Sequence, residues 1–205
     1  MGGMNELEQA LRSASLPPGD AGAAAAAGRL IARAEDEGLL EVAYASVESP
    51  FGDLLAAVTP KGLLRLSYDP RRNDAVLEQI AERVSPRMLE APARLDPVRR
   101  QLDDYFAGTR QVFDLDLDWR LMTPFQRSVL EVVHGVPFGH VATYQQVATA
   151  IGRPTASRAA GGANARNPLA IVVPCHRVVG SDGSLTGYAG GMERKEFLLH
   201  LEGVR

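Results

Sequence analysis

Residues 171–180, IVVPCHRVVG, bring together residue types that could carry out nucleophilic chemistry. Cys175 is the single cysteine of the 205-residue chain, and His176 and Arg177 follow it directly. A cysteine thiol has a pKa of about 8.5 and reacts well at neutral pH only beside a base or a cation. Neighbouring residues of a strand point to opposite faces. Contact between Cys175 and His176 therefore requires a turn after Pro174 or a bridging water.

A carboxylate is needed to complete such a site, because a catalytic histidine works best when a third group orients it. The helix predicted at residues 192–202, MERKEFLLHLE, places Glu196 on one face with Met192 and Leu199. A carboxylate on an apolar face is costly to bury without a partner, so we expect Glu196 to be the base behind His176. A second interpretation stays open, since a lone buried cysteine is more often a small core residue than a nucleophile.

The composition indicates a globular cytoplasmic protein without an internal disulfide or a recognisable metal site. Hydrophobic residues make up 45% of the chain and charged residues 23%, which is ordinary for such proteins. No apolar stretch reaches the length of about 20 residues that spans a membrane. One cysteine cannot form an internal disulfide, which fits a reducing compartment, and the four histidines show no metal-ligand spacing. The net charge is −3, but basic residues outnumber acidic ones within residues 140–205.

Residues 1–118 hold an extension and a small α/β subdomain. Residues 1–40 form the extension, with predicted helices at Asn5–Ser13 and Ala23–Glu37 around a Pro/Gly linker at 16–22. Residues 41–118 form the subdomain, where three short apolar runs separated by turns over 41–68 predict an antiparallel meander. Helical patterns follow at 73–84 and 95–107, and the alternating segment 112–119 predicts a half-exposed strand.

Residues 119–205 predict a mostly helical domain with a helix-turn-helix. TPFQ at 123–126 and TYQQ at 143–146 are expected capping boxes, and Thr155 is the expected cap of the helix ASRAAGGANA. Two short helices joined at a tight Gly/Pro turn predict the helix-turn-helix. The small side chains of its second helix allow close approach to either a packing partner or a nucleic-acid groove. The run LAIVV at 169–173 is expected to form a strand.

Residues 119–203 closely resemble the active-site region of the O6-alkylguanine-DNA alkyltransferase family. TPFQ, the helix-turn-helix, the NP dipeptide at 167–168, PCHR and TGYAGG occur here in the family's order. Residues from about 41 onward match loosely, and residues 1–40 lie outside the resemblance. The resemblance implies a ribonuclease H-like first subdomain and a monomer without cofactor. It also implies binding to double-stranded DNA that contains O6-alkylguanine, with irreversible, stoichiometric alkyl transfer to Cys175 and O4-alkylthymine as a second substrate.

The resemblance also assigns roles to residues of this chain. Cys175 would be the nucleophile, His176 would act on it through a water, Glu196 would take up the proton charge and Asn167 would tie the active-site turn to the DNA-binding half. Tyr144 would give a proton or hydrogen bond to the leaving guanine, and Arg158 would fill the gap left by the flipped base. Further DNA contacts would be Thr155, Ser157, Ala159 and Gly161. The substrate pocket would consist of Val178, Tyr188, Ala189, Gly190 and Asn164, with the carbonyls of Cys175 and Val178 reading the guanine amino group.

Three positions depart from the pattern of some relatives. Ala189 replaces a serine that can hydrogen-bond the guanine oxygen, and Asn164 and Ala170 replace bulkier apolar residues. Alternative functions are a lesion binder without alkyl transfer, a regulator in which cysteine alkylation is the signal, and a cysteine hydrolase. Cys175 argues against the first, the lack of a basic Cys-rich segment in 1–40 against the second, and the lack of an oxyanion-hole motif against the third.

Overall fold

The computed structural model describes residues 37–68 and 73–204, together with residues 22, 25, 26, 28, 29 and 33. Residues 1–40 and 41–205 form two separate compact units. In the first unit, the described positions between 22 and 33 are helical. All of them lie within the helix predicted over Ala23–Glu37 except residue 22, which was predicted to end the linker. The helix predicted over Asn5–Ser13 and residues 16–21 of the predicted linker lie outside the described residues.

A four-stranded sheet forms the first part of the larger unit. Its strands are β1 (Val42–Val47), β2 (Leu54–Thr59), β3 (Gly62–Ser67) and β4 (Met88–Glu90), in the order β3-β2-β1-β4. The pairs β1/β2 and β2/β3 are antiparallel, so the predicted meander is confirmed. The parallel pairing of β4 with β1 was not predicted, because a three-residue strand is too short to show a periodic pattern.

Two helices accompany the sheet, α1 (Asn73–Arg83) and α2 (Asp96–Phe106), and a 3₁₀ helix (Pro92–Leu95) precedes α2. Val76 and Ile80 of α1 pack in one core cluster with Leu55 and Ala57 of β2. The alternate residues of β2, Leu54 and Ala56 among them, are buried as well. Because alternate residues of a strand face opposite sides, both faces of the sheet are covered. None of the helices among the described residues is long and apolar enough to cross a membrane.

The segment predicted as a strand at 112–119 makes only one bridge, between Leu63 and Leu117, so that prediction is wrong. Residues 112–119 do not form a strand because they share the free edge of β3 with a second segment. At its start the N–H of Leu63 donates to the carbonyl of Asp116, whereas further along the N–H of Leu66 donates to the carbonyl of Pro168. The contact at Asp116 also requires glycine at position 62, since a Cβ there would lie 2.1 Å from the Asp116 oxygen.

The second part of the unit is mostly helical, as predicted. It contains α3 (Pro124–His134), β5 (Ala142–Thr143), α4 (Tyr144–Ala150), α5 (Ser157–Ala165), β6 (Val178–Val179) and α6 (Met192–Leu201). Helices α4 and α5 form the predicted helix-turn-helix, and β5 pairs in parallel with β6.

The helix caps partly match the predicted ones. Thr143 and Gln146 form the complete predicted capping box. Thr123 accepts a hydrogen bond from the backbone of Gln126, but the Gln126 side chain donates to the carbonyl of Arg166 instead of closing the box. Ala156, not Thr155, occupies the N-cap of α5. These differences leave the helix boundaries intact but give Gln126 a second task, because it ties α3 to the end of α5.

A buried turn replaces the strand predicted at LAIVV. Ile171 has a positive φ of 69°, and a 3₁₀ helix (Cys175–Arg177) follows. The Asn167 side chain closes the turn, accepting from the N–H of Leu169 at 2.9 Å and donating to the carbonyl of Val173 at 2.8 Å. Residues 168–179 are all buried, so a continuous apolar run did not distinguish a turn from a strand.

We expect Asn167→Ala to lower the free energy of unfolding by about 2–4 kcal/mol, because it leaves two buried backbone groups without partners. Gln101 provides a matched control, since its amide also makes two hydrogen bonds to one backbone residue, Asp114, but in an exposed position. Gln101→Ala should cost about 0.5 kcal/mol or less. Urea unfolding of both variants measures the difference, and equal losses would contradict this account of the turn.

Candidate active site

Cys175 begins the 3₁₀ helix after the buried turn and lines a cavity of about 350 Å³. The residue is 5% exposed. Both parts of the larger unit contribute to the cavity wall, since β3 and α1 face the end of α5 and the glycine-rich loop before α6. The other lining residues are Arg65, Leu66, Ser67, Tyr68, Val76, Gln79, Asn164, Ala165, Arg166, Asn167, Ala170, Gly187, Tyr188, Ala189 and Gly190. The volume falls in the range of small-molecule sites.

Burial raises the pKa of the Cys175 thiol, so the resting site holds a neutral thiol. Hydrogen bonds with Asn167 and Tyr188 and the charge of Lys195 act in the opposite direction. Lys195 is fully buried, and its ammonium donates to the carbonyls of Val178 at 2.7 Å and Thr186 at 3.2 Å. A buried cation favours the thiolate once the proton has a place to go.

His176 is fully buried and lies against Glu202, with 2.8 Å between Nε2 and Oε1. Burial lowers the pKa of His176, an effect that Glu202 partly offsets. The imidazole is therefore neutral at pH 7, and its Nε2–H donates to the carboxylate. The buried Nδ1 then carries a lone pair and has no hydrogen-bond partner among the described residues. His176 can accept a proton at that atom.

Glu202 is the centre of a buried hydrogen-bond network. Its carboxylate accepts from Tyr105 at 2.6 Å, from Arg177 through Nε at 2.8 Å and Nη2 at 2.9 Å, and from His176. Burial alone would raise the pKa of Glu202, but the hydrogen bonds from His176 and Arg177 hold it at about 2. The carboxylate is therefore ionised at neutral pH, and Arg177 balances its charge. A positive charge on His176 would be stabilised by direct contact with it.

The prediction that Glu196 supports His176 is wrong, because Glu196 is exposed and Glu202 holds that place. The buried face of α6 contains Lys195, Leu198 and Leu199, and Glu202 follows it one turn later at i+4 and i+3 from the two leucines. The prediction took Met192, Glu196 and Leu199 as the buried face of the helix, and so placed that face one residue away from its true position. Residues 195, 198, 199 and 202 have the spacing of one helix face. This spacing identifies Glu202 as buried only if Lys195 is also accepted as a buried residue.

Sequence reasoning also missed Tyr105, Arg177 as a partner of Glu202, Lys195 and Tyr68. Tyr105 belongs to the buried face of α2 with Val98 and Leu102, which is the signal of an ordinary core aromatic. Nothing in its local pattern shows that its hydroxyl reaches a carboxylate 97 residues away. Within residues 37–68 and 73–204, no three His, Cys, Asp or Glu side chains are grouped as a metal site would need.

Two tyrosines form the cavity wall beside the thiol. The hydroxyls of Tyr188 and Tyr68 are 2.9 Å apart, and the Cys175 Sγ donates weakly to Tyr188 over 3.9 Å. Burial raises the pKa of both phenols, so both are neutral. Gly190 fits between the rings because a Cβ there would lie 2.6 Å from Tyr188 and 2.9 Å from Tyr68. Tyr188 and Gly190 therefore lie at the cavity as predicted, and Ala189 lines it with them.

The two predicted carbonyl readers already have partners in the protein. The carbonyl of Cys175 accepts from Asn164 Nδ2 at 3.1 Å, and the carbonyl of Val178 accepts from Lys195. The carbonyl of Cys175 also accepts from the N–H of Val178, so both of its lone pairs are engaged within the protein. Val178 is fully buried in β6 and, unlike Asn164, is not among the residues that line the cavity.

The helix-turn-helix presents one small-residue face to the protein and another to solvent. Ala160 and Ala163 of α5 are buried, whereas Arg158, Ala159 and Thr155 are exposed and Ser157 is half-buried. Gly161 faces the half-buried ring of Tyr144, which a Cβ at 161 would approach to 3.5 Å. The small residues therefore serve packing on the inner face and leave Arg158 outside, where its guanidinium has no hydrogen bond or ion pair with a described residue.

A helix-turn-helix joined to a buried thiol with a histidine–carboxylate pair defines a DNA-binding protein with a cysteine nucleophile. The chain belongs to the 6-O-methylguanine DNA methyltransferase family: the DNA binding domain of that family matches residues 124–204, and its ribonuclease-like domain matches residues 42–119.

Relatives match this chain over nearly their whole length. The methylated-DNA–protein-cysteine methyltransferase of Methanosarcina barkeri is 44% identical over 159 residues, which are 78% of this chain and 96% of that protein. The protein of the same name from Mycolicibacterium paratuberculosis is 41% identical over 166 residues, covering 78% and 92%. The crystal structure of Mycobacterium tuberculosis OGT in complex with DNA is 38% identical, with a TM-score of 0.67, covering 78% of this chain and 93% of that one.

The pKa of Glu202 predicts how stability changes in acid. A folded-state pKa of about 2, below the ordinary 4.5, contributes stability that is present above pH 4.5 and is lost as the pH falls towards 2. We therefore expect the stability advantage of the wild type over Glu202→Gln to shrink on acidification by at most about 1.4 kcal/mol per pH unit. Urea unfolding at pH 5, 4 and 3 measures this dependence.

Glu196→Gln is the matched control, since it makes the same change six residues earlier, at an exposed position of α6. Its effect on the free energy of unfolding should be within about 0.5 kcal/mol at each pH. A stability difference for Glu202→Gln that does not change with pH would contradict an ionised Glu202 in the folded protein.

Proposed function

We propose that this protein repairs DNA by transferring the alkyl group of O6-alkylguanine in duplex DNA to Cys175. The observation that carries the proposal is the position of the thiol: Cys175 lies in the wall of a cavity large enough for a base, and the next residue, His176, is bound to the ionised Glu202. The family membership and the near-complete coverage of methylated-DNA–protein-cysteine methyltransferases support it.

The reaction begins with removal of the thiol proton. The proton of Cys175 passes, through a water, to Nδ1 of His176, and the imidazolium that forms is stabilised by the carboxylate of Glu202 at 2.8 Å. This transfer creates a thiolate and an imidazolium together, so the net charge of the buried site does not change. Lys195 then stabilises the thiolate, since its charge already lowers the thiol pKa against the effect of burial.

The alkyl transfer is a displacement at a saturated carbon. The thiolate sulfur forms a bond to the alkyl carbon, the bond from that carbon to guanine O6 breaks, and its electron pair remains on the purine. A thiolate is well suited to this step because sulfur is strongly nucleophilic. The guanine anion must gain a proton, and Tyr144 at the start of α4 is the group proposed to donate a hydrogen bond or proton to the ring. Tyr144 would then regain a proton from His176 through water, so that the thiol proton ends on guanine and the site returns to its starting charges.

The product is an S-alkyl cysteine, and this explains why we propose a single reaction per protein molecule. Regeneration would need a second nucleophile to displace a thiolate from a neutral thioether, and a thiolate is a poor leaving group there. The protein would therefore act stoichiometrically. We propose that it does so as a monomer in the cytoplasm. O4-alkylthymine is the second proposed substrate, because its alkylated oxygen offers the same displacement.

Access to the lesion requires base flipping, since the alkylated oxygen is inside the duplex stack. Helix α5 would face the DNA with its exposed residues, and Arg158 would occupy the space of the extruded base. Exposed Thr155 and Ala159, half-buried Ser157 and Gly161, and the adjacent ring of Tyr144 complete the proposed contact surface. Small side chains at these positions permit close approach of the helix backbone to DNA.

The test of the proposed function is intact mass and peptide mapping after mixing the protein with a duplex that bears one O6-methylguanine. We expect one added methyl group on the peptide that contains Cys175, saturating at one per molecule. Cys175→Ser should still retain the damaged duplex in a gel shift but leave the lesion unrepaired. Depletion of the lesion by Cys175→Ser, or an unmodified wild type, would contradict the proposal.

Removal of the arginine proposed to replace the flipped base should affect DNA substrates selectively. We expect Arg158→Ala to slow repair of O6-methylguanine in a duplex by about tenfold or more, since a flipped base costs a few kcal/mol, but to leave transfer from free O6-benzylguanine nearly unchanged. Arg83→Ala is the control for loss of one exposed positive charge outside the helix-turn-helix. Equal losses of rate on both substrates would refute the role of Arg158.

A further inference from the structure

Tyr68 brings a hydroxyl of the first subdomain to the wall of the active-site cavity. The residue directly follows β3, lines the cavity and is 9% exposed. Its ring packs edge-on against the rings of Phe51 and Tyr188, at centroid distances of 5.9 and 6.2 Å. A phenylalanine would make the same ring contacts without the cost of burying a hydroxyl. Packing therefore accounts for the ring of Tyr68 but not for its hydroxyl.

The hydroxyl of Tyr68 is the end of a chain of polar groups that begins at the nucleophile. Among the described residues its hydrogen-bond partner is the hydroxyl of Tyr188, with 2.9 Å between the two oxygens. The Tyr188 oxygen in turn lies 3.9 Å from Sγ of Cys175, which donates to it in the thiol form. With the thiol as donor, the O–H of Tyr188 is free to point to Tyr68.

Ionisation of Cys175 reverses the direction of this chain. A thiolate has no proton and can only accept, so the O–H of Tyr188 has to turn towards sulfur. The Tyr188 oxygen is then only an acceptor, and the Tyr68 hydroxyl at 2.9 Å is the group that can donate to it. Hydrogen bonds in a chain polarise one another in a medium of low dielectric constant. A donor at position 68 therefore strengthens the bond from Tyr188 to the thiolate.

Arg194 of α6 places a positive charge over the ring of Tyr68. Its guanidinium carbon is 5.1 Å from the centroid of that ring, and Nη1 donates to the carbonyl of Gly190 at 2.7 Å. Burial raises the pKa of Tyr68, and the charge of Arg194 acts in the opposite direction, which makes the phenol a better donor. Burial also raises the pKa of Tyr188. Both phenols therefore stay protonated at neutral pH and serve as hydrogen-bond donors.

We propose that Tyr68 is a positioning residue of the reaction, because its hydroxyl donates to Tyr188 and thereby directs the O–H of Tyr188 to the thiolate of Cys175. No proton is transferred along this chain, since the thiol proton passes to His176 as described above. The inference deepens the proposed function and rests on it for the identity of the alkyl donor. The first subdomain would thus contribute to the reactivity of the nucleophile through one hydroxyl.

Iodoacetamide is the probe for the test, because this small neutral reagent reacts with thiolates and Cys175 is the single cysteine of the chain. The second-order rate constant of alkylation is measured by intact mass between pH 7 and pH 10. We expect Tyr68→Phe to lower this rate constant by about three- to tenfold, the range for loss of one hydrogen bond. On the rising part of the profile this is a displacement to higher pH by about 0.5–1 unit.

A double-mutant cycle tests whether Tyr68 acts through Tyr188. Tyr188→Phe removes the hydroxyl next to sulfur and should slow alkylation by about tenfold or more, since hydrogen bonds to charged groups are stronger. In that background Tyr68→Phe should change the rate by less than about twofold, because the chain is already broken. Tyr44→Phe is the matched control, since Tyr44 is a half-buried tyrosine of the same sheet that does not line the cavity, and it should react as the wild type does.

The pH profile separates this role from packing, because phenylalanine preserves both rings. The other charged or titratable groups around the thiol are the same in every variant: His176, Lys195, Arg194, Arg65 and Arg166. Urea unfolding establishes that each variant is folded. If Tyr68→Phe does not fold, 3-fluorotyrosine at position 68 replaces it. This residue keeps the hydroxyl and makes it a stronger donor, so it should speed alkylation.

The outcomes separate the inference from the proposed function. A pH profile of Tyr68→Phe that matches the wild type overturns the inference, and so does a full effect of Tyr68→Phe in the Tyr188→Phe background. An unchanged or slower rate with 3-fluorotyrosine overturns it as well. Methyl transfer from O6-methylguanine in a duplex should slow by the same factor as alkylation. A wild type that reacts with iodoacetamide but takes no methyl group from the duplex refutes the proposed function alone, and the effect of Tyr68 on the thiolate stands.

Discussion

The buried carboxylate of Glu202 is the constraint on which the rest of the structure depends. An isolated carboxylate in a protein interior is strongly disfavoured, and here four hydrogen bonds from three side chains stabilise it. One donor, Tyr105, comes from the first subdomain, and His176 and Arg177 come from the active-site turn. Satisfying one charge thus fixes the docking of α2, the end of α6 and the orientation of the imidazole together. Breaking a buried pair of this kind by removing one partner is far more damaging than losing a surface ion pair.

The edge of β3 places the nucleophile relative to this network. Its backbone groups bond to the segment around Asp116 at one end and to residues 168–170 at the other, so the buried turn before Cys175 is anchored to the sheet. Asn167 then closes the turn internally. The same strand ends near Tyr68, whose hydroxyl contacts Tyr188 beside the thiol. The first subdomain therefore shapes the cavity and supports the catalytic residues, although the nucleophile and the helix-turn-helix both belong to the second.

Local patterns in the sequence predicted those elements whose signals are themselves local. The meander, the main helices and the capping box at Thr143 follow from periodicity and turn chemistry within ten or so residues, and Cys175 stood out as the single thiol. The errors arose where partners distant in sequence decide the structure. LAIVV is a turn because Asn167 and β3 take its backbone groups, and the segment 112–119 lacks a strand partner beyond Leu63. Glu202 was missed because Lys195, a charged residue, lies on the buried face of α6, so that face does not look apolar in the sequence.

The charges of the buried site explain how chemistry can proceed in a medium that disfavours ions. Glu202 and Arg177 carry opposite charges, and His176 and Cys175 are neutral at rest. Moving a proton from Cys175 to His176 adds one charge of each sign: the imidazolium lies against the Glu202 carboxylate, and the charge of Lys195 favours the thiolate. Once the alkyl group has moved and guanine has regained its proton, the site returns to its starting charges with a thioether in place of the thiol. The extra pair of charges therefore exists only during the reaction. Burial disfavours that ionised intermediate but neither the starting state nor the product.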